Sequence, residues 1–316
     1  MIGSSMGFRG LARAGRALVV LACMVTGFGC GSSRMWLPKV IVRAPNAGKI
    51  IDISRDETPT QLHKLGVKRQ LRIEVGPPPA SLSVWVLESN TPRATVFMLH
   101  GVRDSKLALL RSGRRMAAAG YRVVLVDARG HGRSSGDWLT YGVQESRDLV
   151  RVLDTLEREG LVAGPVFVFG VSYGAATAIQ FAAIEPRVRA VVAVAPYREM
   201  TREITHYVRK LWWMPTWAIS EEDVAQSIAQ AGELAGFDPK SADVVHAIQQ
   251  TRVPVLLIHG QQDRQVPVSD SEQLHAAAAS HSELLLLKWD GHFTALHDPV
   301  GSISHAAIKW FDGKLK

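Results

Sequence analysis

Residues 166–184 read VFVFGVSYGAATAIQFAAI, and the architecture is decided there. Val166 to Phe169 is a continuous apolar run of the kind that fills a strand buried on both faces. It passes directly into Gly170-Val171-Ser172-Tyr173-Gly174 and then into a small-residue helical pattern. A strand, a sharp turn and a helix therefore meet at Ser172. A serine held at such an elbow crowds the residues two positions either side of it, so glycine is required at both. The turn lifts the hydroxyl off the sheet edge. The helix that follows points its first backbone N–H groups at whatever approaches that hydroxyl. The pentapeptide alone is only moderately specific, and a glycine-rich turn with an incidental serine is its bland alternative.

Similar apolar runs occur at 95–100 (TVFMLH), 122–127 (RVVLVD), 190–195 (AVVAVA), 253–259 (VPVLLIH) and 284–289 (LLLLKW). Helical patterns separate them: Asp104 to Ala119 closed by Gly120, Val143 to Glu159 closed by Gly160, the helix after Ser172, Ser269 to Ser280, and Ile303 to Lys314. Upstream, Leu71 to Val75 and Ser81 to Glu88 alternate around a Gly76-Pro77-Pro78-Pro79 turn, which reads as an antiparallel hairpin. Alternating strands and helices behind a hairpin predict an α/β fold with a mostly parallel sheet. One interval breaks the rhythm. About 55 residues, Tyr197 to Arg252, separate two strands that a short helix would normally join. Residues 198–252 therefore read as a helical cap insertion over the carboxyl ends of the strands, where ligands sit in open α/β sheets. Trp212, Trp213 and Trp217 lie in it. They either line a pocket, contact a membrane or pack the cap onto the body.

The first 30 residues read as a targeting segment. Arg9, Arg13 and Arg16 precede an uncharged apolar stretch of 13 residues, Ala17 to Gly29. That is short of the roughly 20 residues a membrane-spanning helix needs, so a secretory signal is favoured over a permanent anchor. The two cysteines of the chain, Cys23 and Cys30, both lie here. Cys30 precedes Gly31-Ser32-Ser33 and resembles the first residue of a processed bacterial lipoprotein, although Gly27 stands where an aliphatic residue is preferred. Cys23 is the second choice. A plainly cleaved signal and an uncleaved short anchor are the alternatives. This predicts export to the periplasm or cell envelope, with a membrane surface as partner through a lipid on Cys30. Downstream of Cys30 neither a disulfide nor a cysteine metal site can form. Residues 31–70 read as an N-terminal extension: a linker running extended around Trp36-Leu37-Pro38 and Pro45-Asn46, then a short helix near Thr60 to Val67. The body of the protein is 71–316. The formal charge of +8 is spread over the chain, three of the charges being in the leader. It lacks the aromatic-interleaved basic stripe of a nucleic-acid binder, so no nucleic-acid partner is expected.

A serine hydroxyl is a poor nucleophile at neutral pH and needs a base beside it. Of 11 histidines, His292 alone sits in a Gly-His loop, Trp289-Asp290-Gly291-His292-Phe293, behind the last apolar run. His297 and His305 read as surface residues of the terminal helix. An imidazole acting as base needs a carboxylate that fixes its tautomer and stabilises its protonated form. Asp263, in Gly260-Gln261-Gln262-Asp263 after the penultimate run, is placed for that. Asp290 is the rival, but lies too near His292 along the chain to reach Nδ1 easily. The resulting order is Ser172, Asp263, His292. An oxyanion would be held by the backbone N–H of Tyr173 and by that of Val102, in the His100-Gly101-Val102 loop after the first central run. His100 itself reads as a brace for that loop.

Taken together, LHG at 99–101, AGYRVVLVDARGHGRSSG at 119–136, GVSYG at 170–174, VPVLLIHGQQD at 253–263 and DGHF at 290–293 resemble the α/β-hydrolase superfamily. The chain is similar in particular to its serine esterases and acyl-peptidase-like members, from about Leu71 to Lys316. The resemblance implies an α/β-hydrolase fold with a mostly parallel sheet, a leading antiparallel hairpin and a helical cap. It implies that Asp127, Arg129, Gly130, His131, Gly132 and Ser134 shape the site rather than react. It is specific for fold and weak for substrate. Tyr173 departs from the Met, Leu or Gln common at that position. Its ring either packs, narrows the acyl pocket or donates from its hydroxyl.

The expectation for function is a serine hydrolase acting on a small-molecule ester or acyl substrate, by way of an acyl-enzyme and without a cofactor or metal. Acyl transfer or perhydrolysis on the same three residues, and a non-catalytic binding lipoprotein on this fold, are the competing readings. Dehalogenase and epoxide hydrolase chemistry is disfavoured, because both need an aspartate where Ser172 stands.

Overall fold

A computed structural model of the chain describes residues 33–49, 56–210 and 219–315. Residues 1–30, with Cys23 and Cys30, and the tryptophans at 212, 213 and 217, lie outside the described residues.

Eight strands form one sheet: β1 (Arg69–Val75), β2 (Ala80–Leu87), β3 (Thr95–Leu99), β4 (Arg122–Val126), β5 (Val166–Val171), β6 (Val188–Val194), β7 (Val255–Gly260) and β8 (Ser282–Leu287). Their order across the sheet is β1-β2-β4-β3-β5-β6-β7-β8. β2 pairs antiparallel with both β1 and β4, and every other pair is parallel. The chain runs from β3 outward to β4 and then back across to β5. Loops leaving the carboxyl ends of β3 and β5 therefore diverge at a switch point, with Leu99 opposite Gly170.

The period-two alternation of the strands divides the core into two layers. Phe97, Leu99, Val124 and Val168 pack on one face. Helices α4 (Val143–Arg158) and α5 (Tyr173–Ile184) cover it. The stripe Leu149, Val152, Leu153 and Leu156 is buried from α4 at helical spacing. Trp85, Met98, Val123, Leu125, Phe167 and Phe169 point the other way. They are covered by α3 (Leu110–Ala118), preceded by a 3₁₀ turn at Lys106–Leu109, and by α11 (Ser302–Asp312), whose Phe311 stacks on Phe167 at 4.8 Å.

Between β6 and β7 lie α6 (Met200–Arg209), α7 (Glu221–Ala235), a 3₁₀ turn at Pro239–Ser241 and α8 (Val244–Gln250). α8 packs on α5 and on α9 (Val268–Ala277), at the flank of the sheet. α6 reaches the loops at the carboxyl edge, where Arg202 pairs with Asp270 of α9. A short α10 (His292–His297) follows β8.

The extended path expected around Trp36-Leu37-Pro38 is not what forms. Ser33–Val42 is a helix, α1, with Pro38 inside it, and it packs on α7. Its buried Leu37 and Ile41 are four residues apart, on one helical face. The chain after it is stitched to the loop beyond β4: Leu139 N–H donates to Val42 O, Ala44 N–H to Asp137 O and Asn46 N–H to Gly130 O. The Asn46 amide adds bonds to Gly132 O and Ser134 O. α2 (Pro59–Leu65) forms close to the predicted place, with a Thr58–Gln61 capping box and Gly66 in the left-handed region at its end.

Candidate active site

The elbow has the geometry its sequence requires. Ser172 stands between β5 and α5 with φ 51° and ψ −115°, a left-handed φ for a residue with a Cβ. Such a conformation costs about 1–3 kcal/mol and persists only where its surroundings hold it. They do so closely. Ser172 N–H donates to Val194 O at 2.7 Å. A Cβ on Gly170 would lie 2.1 Å from Gly174 O, and one on Gly174 would lie 2.3 Å from Leu99 O. The small side chains at both positions thus let β3, β5 and α5 meet. Ser172 keeps 7% of its surface accessible.

Asp263 and His292 are brought together from two loops. The loop after β7 and the loop after β8 cross tightly: Gln262 N–H donates to Asp290 O, and a Cβ on Gly260 would lie 2.3 Å from that same oxygen. Asp263 Oδ1 accepts from the backbone N–H of Gln265 and Val266 at 2.7 and 3.0 Å. Oδ2 lies 2.7 Å from His292 Nδ1. A carboxylate only accepts, so His292 donates from Nδ1 and leaves Nε2 as the basic nitrogen. Burial alone pushes the Asp263 carboxyl up. Hydrogen bonds from His259 and His292 outweigh that and hold it below the ordinary carboxylate range. Asp290 is engaged through its backbone. His292 is not in an open loop but is the first residue of α10, with Gly291 as its N-cap.

The same helix packs on the turn that adjoins Ser172. Leu296 Cδ2 and Ser172 Cβ lie 3.5 and 3.8 Å from the position a Cβ on Gly101 would take. The loop after β3, the elbow and α10 therefore converge at one point. Among the described residues the Ser172 hydroxyl makes no hydrogen bond, to His292 or to any other group.

The two expected oxyanion donors lie beside this point. Tyr173 opens α5, so its N–H has no intrahelical acceptor. Val102 follows Gly101 in a turn closed by Asp104 N–H to Gly101 O, with Arg103 at φ 62°. His100 braces that turn. Its Nε2 accepts from Ala128 N–H at 3.0 Å, so Nδ1 carries the hydrogen and donates to Gly101 O at 2.8 Å. Burial pushes its pKa down, which keeps the ring neutral. The Tyr173 ring packs in the interior against Tyr141 and His131, 98% buried.

The loop at 127–134 is held by a dense set of side-chain bonds. Asp127 Oδ1 accepts from Lys106 N–H, and Oδ2 from Arg133 N–H and from the Lys106 ammonium. That buried ammonium also bonds Ser83 Oγ and lies 4.5 Å from the Trp85 ring centre. Arg129 grips Asp148 through two bonds of 2.9 and 2.8 Å. Ser134 Oγ donates to Asp127 O and accepts from Ser83 N–H. A Cβ on Gly132 would lie 2.3 Å from the Asp127 carboxyl carbon. Two groups at the site went unread in the sequence. Lys106 lies in an apparently exposed helical pattern. His259 ends an apolar run that reads as strand filler. The histidine in Ile258-His259-Gly260, four residues before Asp263, was the available signal.

Comparison with known proteins agrees with this architecture. Residues 90–233 match the family model described as serine aminopeptidase, S33. The protein YqkD of Bacillus subtilis is 27% identical over 192 residues, which span 60% of this chain and 61% of YqkD. The esterase YjfP of Escherichia coli is 28% identical over 217 residues, 64% of this chain and 82% of that one. The esterase Pf2001 of Pyrococcus furiosus superposes with a TM-score of 0.66 at 20% identity, covering 86% of this chain and 100% of that one. Strand order, elbow and these likenesses together show that the chain has the α/β-hydrolase fold.

Proposed function

We propose that the chain is a serine hydrolase that cleaves carboxylic esters through an acyl-enzyme. The observation that carries this reading is the 2.7 Å bond from His292 Nδ1 to Asp263 Oδ2, which leaves the opposite ring nitrogen basic on the short helix whose Leu296 packs on the Gly101 turn next to the strained serine elbow. In the first half-reaction Ser172 Oγ attacks the ester carbonyl carbon and its proton passes to His292 Nε2. The tetrahedral oxyanion is held by the N–H groups of Tyr173 and Val102. Collapse breaks the carbon–oxygen bond to the alcohol, which leaves with the proton from Nε2. In the second half-reaction water attacks the acyl carbon, gives a proton to Nε2, and the acid departs as Ser172 recovers that proton. Asp263 keeps the imidazole in the Nδ1–H tautomer and stabilises the imidazolium. The esterase name of YjfP supports the ester class.

Turnover of a short p-nitrophenyl ester tests this. Ser172→Ala is expected to abolish it while leaving the circular-dichroism spectrum unchanged. Retained turnover by that variant contradicts the assignment. Export and a lipid on Cys30 belong to the same proposal and rest on the leader sequence. Cys30→Ser is expected to move the protein from the detergent phase to the aqueous phase in a Triton X-114 partition.

A further inference from the structure

We infer that His259 is a positioning residue for the Asp263–His292 pair, and that Ser271 sets the tautomer in which it acts. The inference rests on the roles proposed above for Asp263 and His292. His259 is the penultimate residue of β7, and Ser271 lies in the first turn of α9; neither has any exposed surface.

Asp263 Oδ2 has two histidine neighbours. His292 Nδ1 lies at 2.7 Å and His259 Nε2 at 3.3 Å. His259 Nε2 also lies 3.2 Å from Val266 O. Both neighbours of that nitrogen only accept, so Nε2 carries a hydrogen shared between them. His259 Nδ1 lies 2.7 Å from Ser271 Oγ, whose hydroxyl donates to it when the ring is neutral. A chain of donors thus runs from Ser271 through His259 to Asp263.

The arrangement has a chemical consequence. Oδ1 is tied down by two backbone N–H groups of its own turn. Without His259, Oδ2 would have His292 as its sole described partner, and the carboxylate could twist about its last bond. A second donor from β7, behind the pair, removes that freedom. With its ring neutral, His259 would donate without adding charge, and the carboxylate would keep its full negative charge for the imidazolium that forms on His292. Other titratable groups face this cluster. Glu203 and His206 look in from α6, and Asp270 from α9. Burial raises the Glu203 carboxyl to about 7, so its titration has to be separated from that of His292.

The test compares His259→Leu, His259→Gln and Ser271→Ala with the native chain by ester turnover across pH and by ¹⁵N-histidine NMR titration of His292. Glutamine keeps an N–H near the position of Nε2. His259→Leu is expected to lower kcat by about 10–100-fold, the effect typical of losing an outer partner of a functional group, with KM within about twofold. The acid limb of the profile and the NMR midpoint of His292 are expected to fall together. His259→Gln should recover most of both, and Ser271→Ala should show a smaller loss in the same direction. A Glu203→Gln background that leaves the shift in place assigns it to His292. If kcat, the acid limb and the midpoint are unchanged in His259→Leu, the inference is overturned. If that variant does not fold, unchanged values in Ser271→Ala overturn it instead. If the native chain hydrolyses no ester, the hydrolase reading fails on its own, and the NMR midpoint still decides the role of His259.

Discussion

At Asp263 two consequences follow from one set of hydrogen bonds. Asp263→Asn would accept less strongly from His292 and could hold the wrong tautomer. Its kcat for a short ester is expected to drop by about ten-thousandfold, with little change in KM. The second consequence concerns stability. Asp263 is held below the ordinary carboxylate range in the folded chain. Its contribution is therefore fully present above the unfolded carboxyl pKa of about 4 and is lost as pH falls through the lower folded value. Urea melts from pH 6 to pH 3 should show the native chain losing stability more steeply than Asp263→Asn in the acid part of that range. Equal slopes would mean the carboxylate is not held as described. Asp263 and His292 were legible because each follows an apolar run in a loop with few competitors, and loops at the carboxyl edge of such a sheet converge. His259 was not legible. A buried histidine inside a strand pattern has the same sequence signature whether it packs or positions a neighbour.

Among the elements, the elbow depends on a contact no side chain could share. A Cβ on Gly174 would meet the backbone carbonyls of Leu99 and His100 at 2.3 and 2.6 Å. Backbone cannot yield as a flexible side chain can. Gly174→Ala is expected to cost roughly 3 kcal/mol or more in chemical denaturation. A loss below about 1 kcal/mol would show that β3 and α5 can separate. The Lys106–Asp127 pair makes a second element-level prediction. Lys106→Met leaves a buried carboxylate without its cation and is expected to cost about 3–5 kcal/mol by the same measurement. Strands and flanking helices could be read from pattern because their apolar spacing is set by the faces they bury. α1 could not. A proline sits in its middle, and it is helical because Leu37 and Ile41 find a hydrophobic surface that includes α7, which is far away in sequence.

Over the whole molecule, the site is assembled by topology. β3 and β5 are neighbours in space but separated by β4 and α4 in sequence, so the Gly101 turn and the Ser172 elbow leave adjacent strand ends. The N-terminal segment then locks the 127–134 loop from outside, through Asn46 to Gly132 O and Ser134 O. Asn46→Ala leaves two loop carbonyls without these donors and is expected to cost about 1–3 kcal/mol of stability, read in a urea melt. The hydrolase reading requires that one hydroxyl of this chain be activated as a nucleophile. Reaction of the native protein with a fluorophosphonate, followed by peptide mass spectrometry, tests it most directly. A single adduct on Ser172, absent from His292→Ala, is expected. An unlabelled protein, or an adduct on another residue with Ser172 untouched, would contradict it.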